Sequence, residues 1–290
     1  MLKRISEMNI HPQFDLRHEY EKIEQLFSSN NIVSAQPRYS GYCASVSIEE
    51  FMASNFLKWS LRGTNITLEE MRESMSINKL TMSDTKHEIS EEQVLIFLQF
   101  VWNCLNYLKD VHDKTNEYSE INVTFVDSGA DTFLALAQNV KLFLQHLKAD
   151  IYFDEKENEY VVFYCDAIHD VIAEEHVDIA KSLIEYRRID TIHDLKRKEE
   201  IICTLFKKFE NIRDTLKKSG FDALQSDTGF LMNFARHSPH SKDVVAIKFH
   251  SLPNDEKEKW YDEAYKMFVA CLSVLTYVNI KPDIVSMKKT

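Results

Sequence analysis

The chain has 290 residues, 44% hydrophobic and 28% charged, with a formal net charge of -11. It holds only five Gly and five Pro, where average usage predicts roughly 35 of the two together. That scarcity excludes sandwiches, barrels, propellers and glycine-looped nucleotide folds, which spend glycine on positive-φ turns and close backbone approach, and the acidic charge excludes a generally basic nucleic-acid coat protein.

What remains is a mainly α chain of about two domains with helical bundle architecture. The first forty residues are polar and irregular, broken at His11-Pro12 and Pro37, with one helix expected over 16–27. Ser47-Ile-Glu-Glu50 is a capping box, and Gly63 supplies a left-handed stop, so a helix is expected over 47–63 with Phe51, Phe56, Leu57 and Trp59 apolar. Thr67-Leu-Glu-Glu70 repeats the cap before a short helix, and Ser90-Glu-Glu-Gln93 opens one over 90–109. That third helix is apolar almost all round, which marks the centre of a bundle. Another is expected over 131–147.

The pattern then changes. Two β-prone runs flank the polar turn Asp154-Glu-Lys-Glu-Asn158, reading as a hairpin over 150–164, with 121–126 a further strand that pairs with it. A long charged segment over 177–218 carries a helical apolar pattern, with a break at 190–194 and a stop at Gly220 behind Lys217 and Lys218. A short helix is expected from Asp227, a polar loop over 236–242, and a final amphipathic helix over 255–277. The chain therefore divides into an N-terminal helical part (1–149) assigned to sensing or regulation, a hairpin connector (150–166) and a C-terminal helical part (167–290). No apolar stretch approaches the roughly 20 residues of a membrane span, and the charged N-terminus has no signal-like apolar core. Five scattered cysteines without CxxC spacing point to reduced thiols and a cytoplasmic location.

The common phosphate-loop, zinc, serine-hydrolase and calcium motifs are absent, so no metal or cofactor is expected. The segment Gly229-Phe-Leu-Met-Asn-Phe-Ala-Arg-His-Ser-Pro-His-Ser-Lys242 instead clusters Asn233, Arg236, His237, His240 and Lys242. An Arg holds a phosphate bidentately, and an imidazole titrating near neutrality exchanges the proton of a ribose 2′-hydroxyl. Tyr107, His112 and Asp113 form a smaller titratable group at a helix end. Charge is segregated: residues 187–218 carry ten Lys/Arg against six Asp/Glu, whereas 154–178 carry nine acidic residues and one Lys. A local basic face suits an RNA backbone; ordinary solvent-facing stripes with local ion pairs produce the same pattern.

A charged helix pair, an Asn-Phe-Ala-Arg-His element and a C-terminal helix of the Trp-Tyr-Asp-Glu-Ala-Tyr kind resemble the HEPN superfamily of small helical domains, over about residues 170–285. The superfamily hallmark is Arg, four to six residues, then His. Arg236 and His240 have three intervening residues; Arg188 and His193 have four. The resemblance implies metal-independent endoribonuclease activity in an abortive-infection, anti-phage or stress response, with a site completed by homodimerisation. It implies Arg236 on the scissile phosphate, His240 or His237 as acid and base, and Asn233 orienting them. Arg188 with His193 is the second choice, and Lys242, Arg187, Lys196 and Arg197 are RNA contacts. The rival expectation is a non-catalytic dimerisation or docking protein with a protein partner in a defence complex, and a third is a small-ligand sensor in the N-terminal bundle.

Overall fold

The computed structural model describes residues 15–28, 32–37, 44–77, 89–114, 121–126, 128–165, 172, 176–236 and 244–288. The chain is mainly α, with small sheets, and separates into two compact units, Met1–Val162 and Phe163–Thr290. The division falls inside the second strand of the expected hairpin.

In the first unit, helix α4 (Glu91–Asp113) is the axis, with Val94, Phe97, Leu98, Val101 and Cys104 wholly buried. Its start is the expected capping box: Ser90 Oγ accepts from the Gln93 amide at 3.2 Å and Gln93 Oε1 accepts from the Ser90 amide at 3.1 Å. Helix α1 (Leu16–Ser28) lays Tyr20 on Phe97 and Phe27 on Phe100, with ring centroids 4.1 and 5.8 Å apart. Helices α2 (Ile48–Asn55), α3 (Leu68–Ser74) and α5 (Gly129–His146) complete the unit. The buried Arg72 of α3 fastens three of them, donating to both oxygens of Glu24 on α1 at 2.9 and 3.0 Å and to Glu49 on α2 at 3.5 Å.

Three expectations need correction here. The helix opened by Ser47 stops at Asn55, not near Gly63; two 3-10 turns follow (Phe56–Lys58 and Ser60–Arg62), with Trp59 extended between them. That extended residue buries the Trp59 ring against Phe56, Phe100 and Tyr107, a gain in apolar burial that a continued helix would forgo. The first forty residues, read as irregular, contain β1 (Val33–Pro37), and β2 (Ala44–Val46) follows them. Strand β3 (Ile121–Phe125) pairs antiparallel with β1, from Val33 opposite Phe125 to Pro37 opposite Ile121, and not with the hairpin.

The hairpin itself forms as β4 (Ala149–Asp154) and β5 (Glu159–Tyr164), turning through Asn158 at φ 56°. Its β5 edge is completed by side chains of α4. Gln99 Oε1 accepts from the Val162 amide at 2.7 Å; Asn103 Oδ1 accepts from the Tyr160 amide at 2.9 Å, and Asn103 Nδ2 donates to the Tyr160 carbonyl at 2.8 Å. Two amides on a helix thus supply the ladder bonds that a third strand would make.

The second unit contains α6 (Val177–Tyr186), a 3-10 turn (Ile189–Thr191), α7 (Leu195–Lys218), α8 (Asp222–Arg236), α9 (Val244–His250) and α10 (Asn254–Met287). The break expected at 190–194 is present, and Asp194 caps α7 by accepting from the Arg197 amide at 2.9 Å. Gly220 at φ 88° stops α7, as expected, and the Phe221 amide closes back on the Leu216 carbonyl at 3.0 Å. Ile202, Leu205, Phe209, Met232, Phe268 and Leu272 form the core between α7, α8 and α10. Helix α8 starts five residues before the expected Asp227, and α9 was not anticipated. Helix α10 runs ten residues past Tyr277, through Pro282, and is the one helix among the described residues long and apolar enough to cross a membrane by length and composition.

Candidate functional site

Helix α8 packs on both α7 and α10, and its last turns carry two of the first-choice residues, Asn233 and Arg236. Asn233 and Arg236 are three apart, hence on one side of the helix, and Arg236 is its final residue. Asn233 is half-buried. His237, His240, Lys242 and the Arg236 side chain lie outside the described residues.

The described surface of α8 around Asn233 is aromatic. Phe230 is 57% exposed and stacks on Phe234, with centroids 5.9 Å apart and planes within 15°. Phe234 in turn meets Phe249 edge-on at 4.6 Å and Trp260 at 6.0 Å. Trp260 is 37% exposed. Val244 and Ile247 on α9 are also open to solvent.

The second-choice pair is committed elsewhere. Arg188 is buried and held bidentately by Asp190, through Nε at 2.9 Å and Nη2 at 2.6 Å. His193 Nδ1 lies 3.2 Å from Glu258 Oε1. A guanidinium already satisfied by a carboxylate and withdrawn from solvent does not offer its fork to a phosphate. Among the expected RNA contacts, Arg197 pairs with Glu185 and Glu200, Arg187 is half-buried with its carbonyl accepting from the Tyr164 amide, and Lys196 is exposed.

Sequence reading missed the polar centre of this unit. Lys198 is buried on α7, donating to Glu258 at 3.0 Å and Asp262 at 2.8 Å on α10, with its ammonium 5.5 Å from the Tyr186 ring centroid. Tyr186 donates to Asp262 at 2.8 Å and stacks on Tyr265 at 4.1 Å, and Tyr265 donates to the Leu183 carbonyl. Burial, with the Asp262 charge behind it, pushes the Tyr186 phenol far above its ordinary range. Burial also pushes the Glu258 carboxyl up, but the hydrogen bond and charge of Lys198, aided by His193, outweigh it and hold that carboxyl below its usual value. The signal was present: Leu195, Lys198, Ile202, Leu205, Phe209, Ile212 and Leu216 follow a strict three-four spacing, and Lys198 occupies an apolar slot in it.

No cluster of His, Cys, Asp and Glu among the described residues has the arrangement of a metal site. Cys104 and Cys271 are buried free thiols, both raised by burial, Cys165 and Cys203 are half-buried, and Cys43 is outside the described residues. No family model, curated protein or solved structure matches the chain.

Proposed function

We propose that the chain is a metal-independent endoribonuclease of a defence or stress response, acting at the C-terminal end of α8 as a cytoplasmic homodimer. The observation that carries this reading is the exposed Phe230 platform, stacked on Phe234, on the same helix as Asn233 and Arg236 and immediately before the two histidines. Aromatic faces beside cationic groups suit single-stranded RNA, since each base stacks and each phosphate is neutralised. In the reaction, one imidazole of His237 and His240 withdraws the ribose 2′-hydroxyl proton and that oxygen attacks the adjacent phosphorus. The bond from phosphorus to the 5′ oxygen breaks, and the leaving oxygen takes its proton from the other imidazole. Arg236 holds the non-bridging oxygens.

The test is cleavage of total RNA by purified protein in EDTA. Wild type degrades RNA, and Arg236→Ala or the His237→Ala/His240→Ala double variant slows it at least about 100-fold, the scale of general acid–base catalysis. Identical RNA patterns for wild type and variants, with no effect of either on growth, would sink the reading.

One observation favours a non-catalytic dimerisation or docking protein instead: Arg188, Arg197, Lys198 and His193 are all engaged by acids of their own unit. The end of α10 also leaves Tyr277, Ile280, Val285 and Met287 exposed. On that reading the protein forms a stable dimer or binds a protein partner, and RNA remains intact.

A further inference from the structure

Helix α4 is apolar almost all round, yet it carries one polar row, Gln99, Asn103, Asn106, Asp110 and Asp113, at spacings of four, three, four and three. Such spacing places the row along one face. Its first two members are consumed by the β5 edge. The remaining three do not reach the strand: Asp110 accepts from Lys114 at 2.5 Å and Asp113 Oδ1 lies 3.2 Å from His112 Nδ1, each carboxylate keeping its other oxygen, and with Asn106 they line a cavity of about 440 Å³ in the first unit, bounded also by Ser60 and Leu61 of the second 3-10 turn and by the hairpin. That volume lies within the roughly 300–1,000 Å³ of small-molecule sites.

Two aromatic pairs contribute walls to the cavity. Trp59 and Tyr107 have ring centroids 6.2 Å apart, and Phe153 and Tyr160 5.0 Å apart. Asn106 spends one amide hydrogen on the Trp102 carbonyl at 2.7 Å, which leaves a donor and an acceptor side by side on its carboxamide. Asp110 and Asp113 are exposed along the same row, with Lys109 and Lys114 beside them, so the rim carries both signs. Burial raises the Tyr107 phenol above its ordinary range, so its hydroxyl is a neutral donor at pH 7.

We propose that this cavity binds a purine nucleoside unit. The flat ring lies against the aromatic walls, its hydrogen-bonding edge meets the paired donor and acceptor of Asn106, and the ribose hydroxyls donate to Asp110 and Asp113. A rim of mixed charge suits the neutral nucleoside better than a polyphosphate. The site is in the other unit from α8 and does not depend on the ribonuclease reading.

The experiment is calorimetric titration of the full chain with adenosine, guanosine, their 5′-monophosphates and a short single-stranded RNA. At least one purine nucleoside binds saturably, and Asn106→Ala and Phe153→Ser each weaken it about tenfold or more, the loss expected for one edge contact or one stacking partner. Phe153 is 43% exposed, so its replacement leaves the fold intact, which thermal melting checks. Phe230→Ala on α8 leaves nucleoside binding unchanged. RNA binding that Asn106→Ala weakens while free nucleosides fail to bind would move the ligand from a free nucleoside to a residue within a chain, overturning the proposal in this form. Absence of purine binding at millimolar concentration, or affinities identical in wild type and both variants, would overturn it outright.

Discussion

Lys198 ties together the buried polar centre of the C-terminal unit. Its ammonium is shut from water and satisfied by two carboxylates on α10 that are themselves partly solvated. Replacing it by Met keeps the stem's packing and removes the charge, and the two acids then face each other without a cation. We expect Lys198→Met to lose about 2 kcal/mol at pH 7, by chemical denaturation, as for hydrogen bonds to charged groups. The pH dependence has a definite sign. Glu258 is held below its unfolded pKa, so its contribution is present above that value, about 4.3, and is lost as pH falls through the depressed folded value. Lys198→Met removes the largest lowering influence, so the variant's stability falls less steeply than wild type below about pH 4.5. A parallel acid limb in the two proteins would contradict this. At this scale the sequence displayed which residues were chemically able but not which were already spoken for. Arg188 and His193 fit the hallmark spacing, yet two residues beyond Arg188 stands Asp190, and across the bundle stands Glu258; the first pairing is local and readable, the second needs the fold.

Element ends were the most legible feature. Ser47, Thr67 and Ser90, each followed three residues later by Glu or Gln, do start helices, because their side-chain hydrogen bonds to the third amide are local and need no tertiary context; the return bond to the cap amide forms at Ser47 and Ser90, while Glu70 accepts from the Ile66 amide instead. Ser90→Ala should cost about 1 kcal/mol, measured by thermal or chemical unfolding. Helix continuation was less legible, since it is decided by what the side chains reach: Trp59 leaves the helix to enter the core, and α8 gains a turn before Asp227. The short strands β1 and β2, which pair with each other, were hidden by their length, and the other partner of β1, strand β3, lies far along the chain. One contact there is demanding. A Cβ on Gly129 at the start of α5 would sit 2.3 Å from the Ile32 carbonyl oxygen, which backbone cannot vacate without displacing the approach to β1. Gly129→Ala should therefore destabilise by about 1–3 kcal/mol, the range for overpacking. Unchanged stability would show that the junction of β1 and α5 is looser than its geometry.

At the scale of the whole molecule, composition foretold the mainly α class because glycine scarcity restricts every turn-rich alternative at once. Charge segregation pointed less surely: three of the ten cations over 187–218, Arg197, Lys198 and Lys208, are answered by Asp178, Glu185, Glu258 and Asp262, so the stretch is an internal clamp as well as a surface. The polar row of α4 was passed over because apolar neighbours dominate the same helix. Helix α8 is fixed by an apolar core on two sides and carries Asn233 and the exposed Phe230, and in sequence it runs on from Arg236 into His237 and His240. The most direct test is end-group analysis of RNA incubated with the protein in EDTA. The account predicts fragments bearing 2′,3′-cyclic phosphate and 5′-hydroxyl ends, lost in the His237→Ala/His240→Ala variant; 3′-hydroxyl and 5′-phosphate ends, or cleavage that EDTA abolishes, would contradict it.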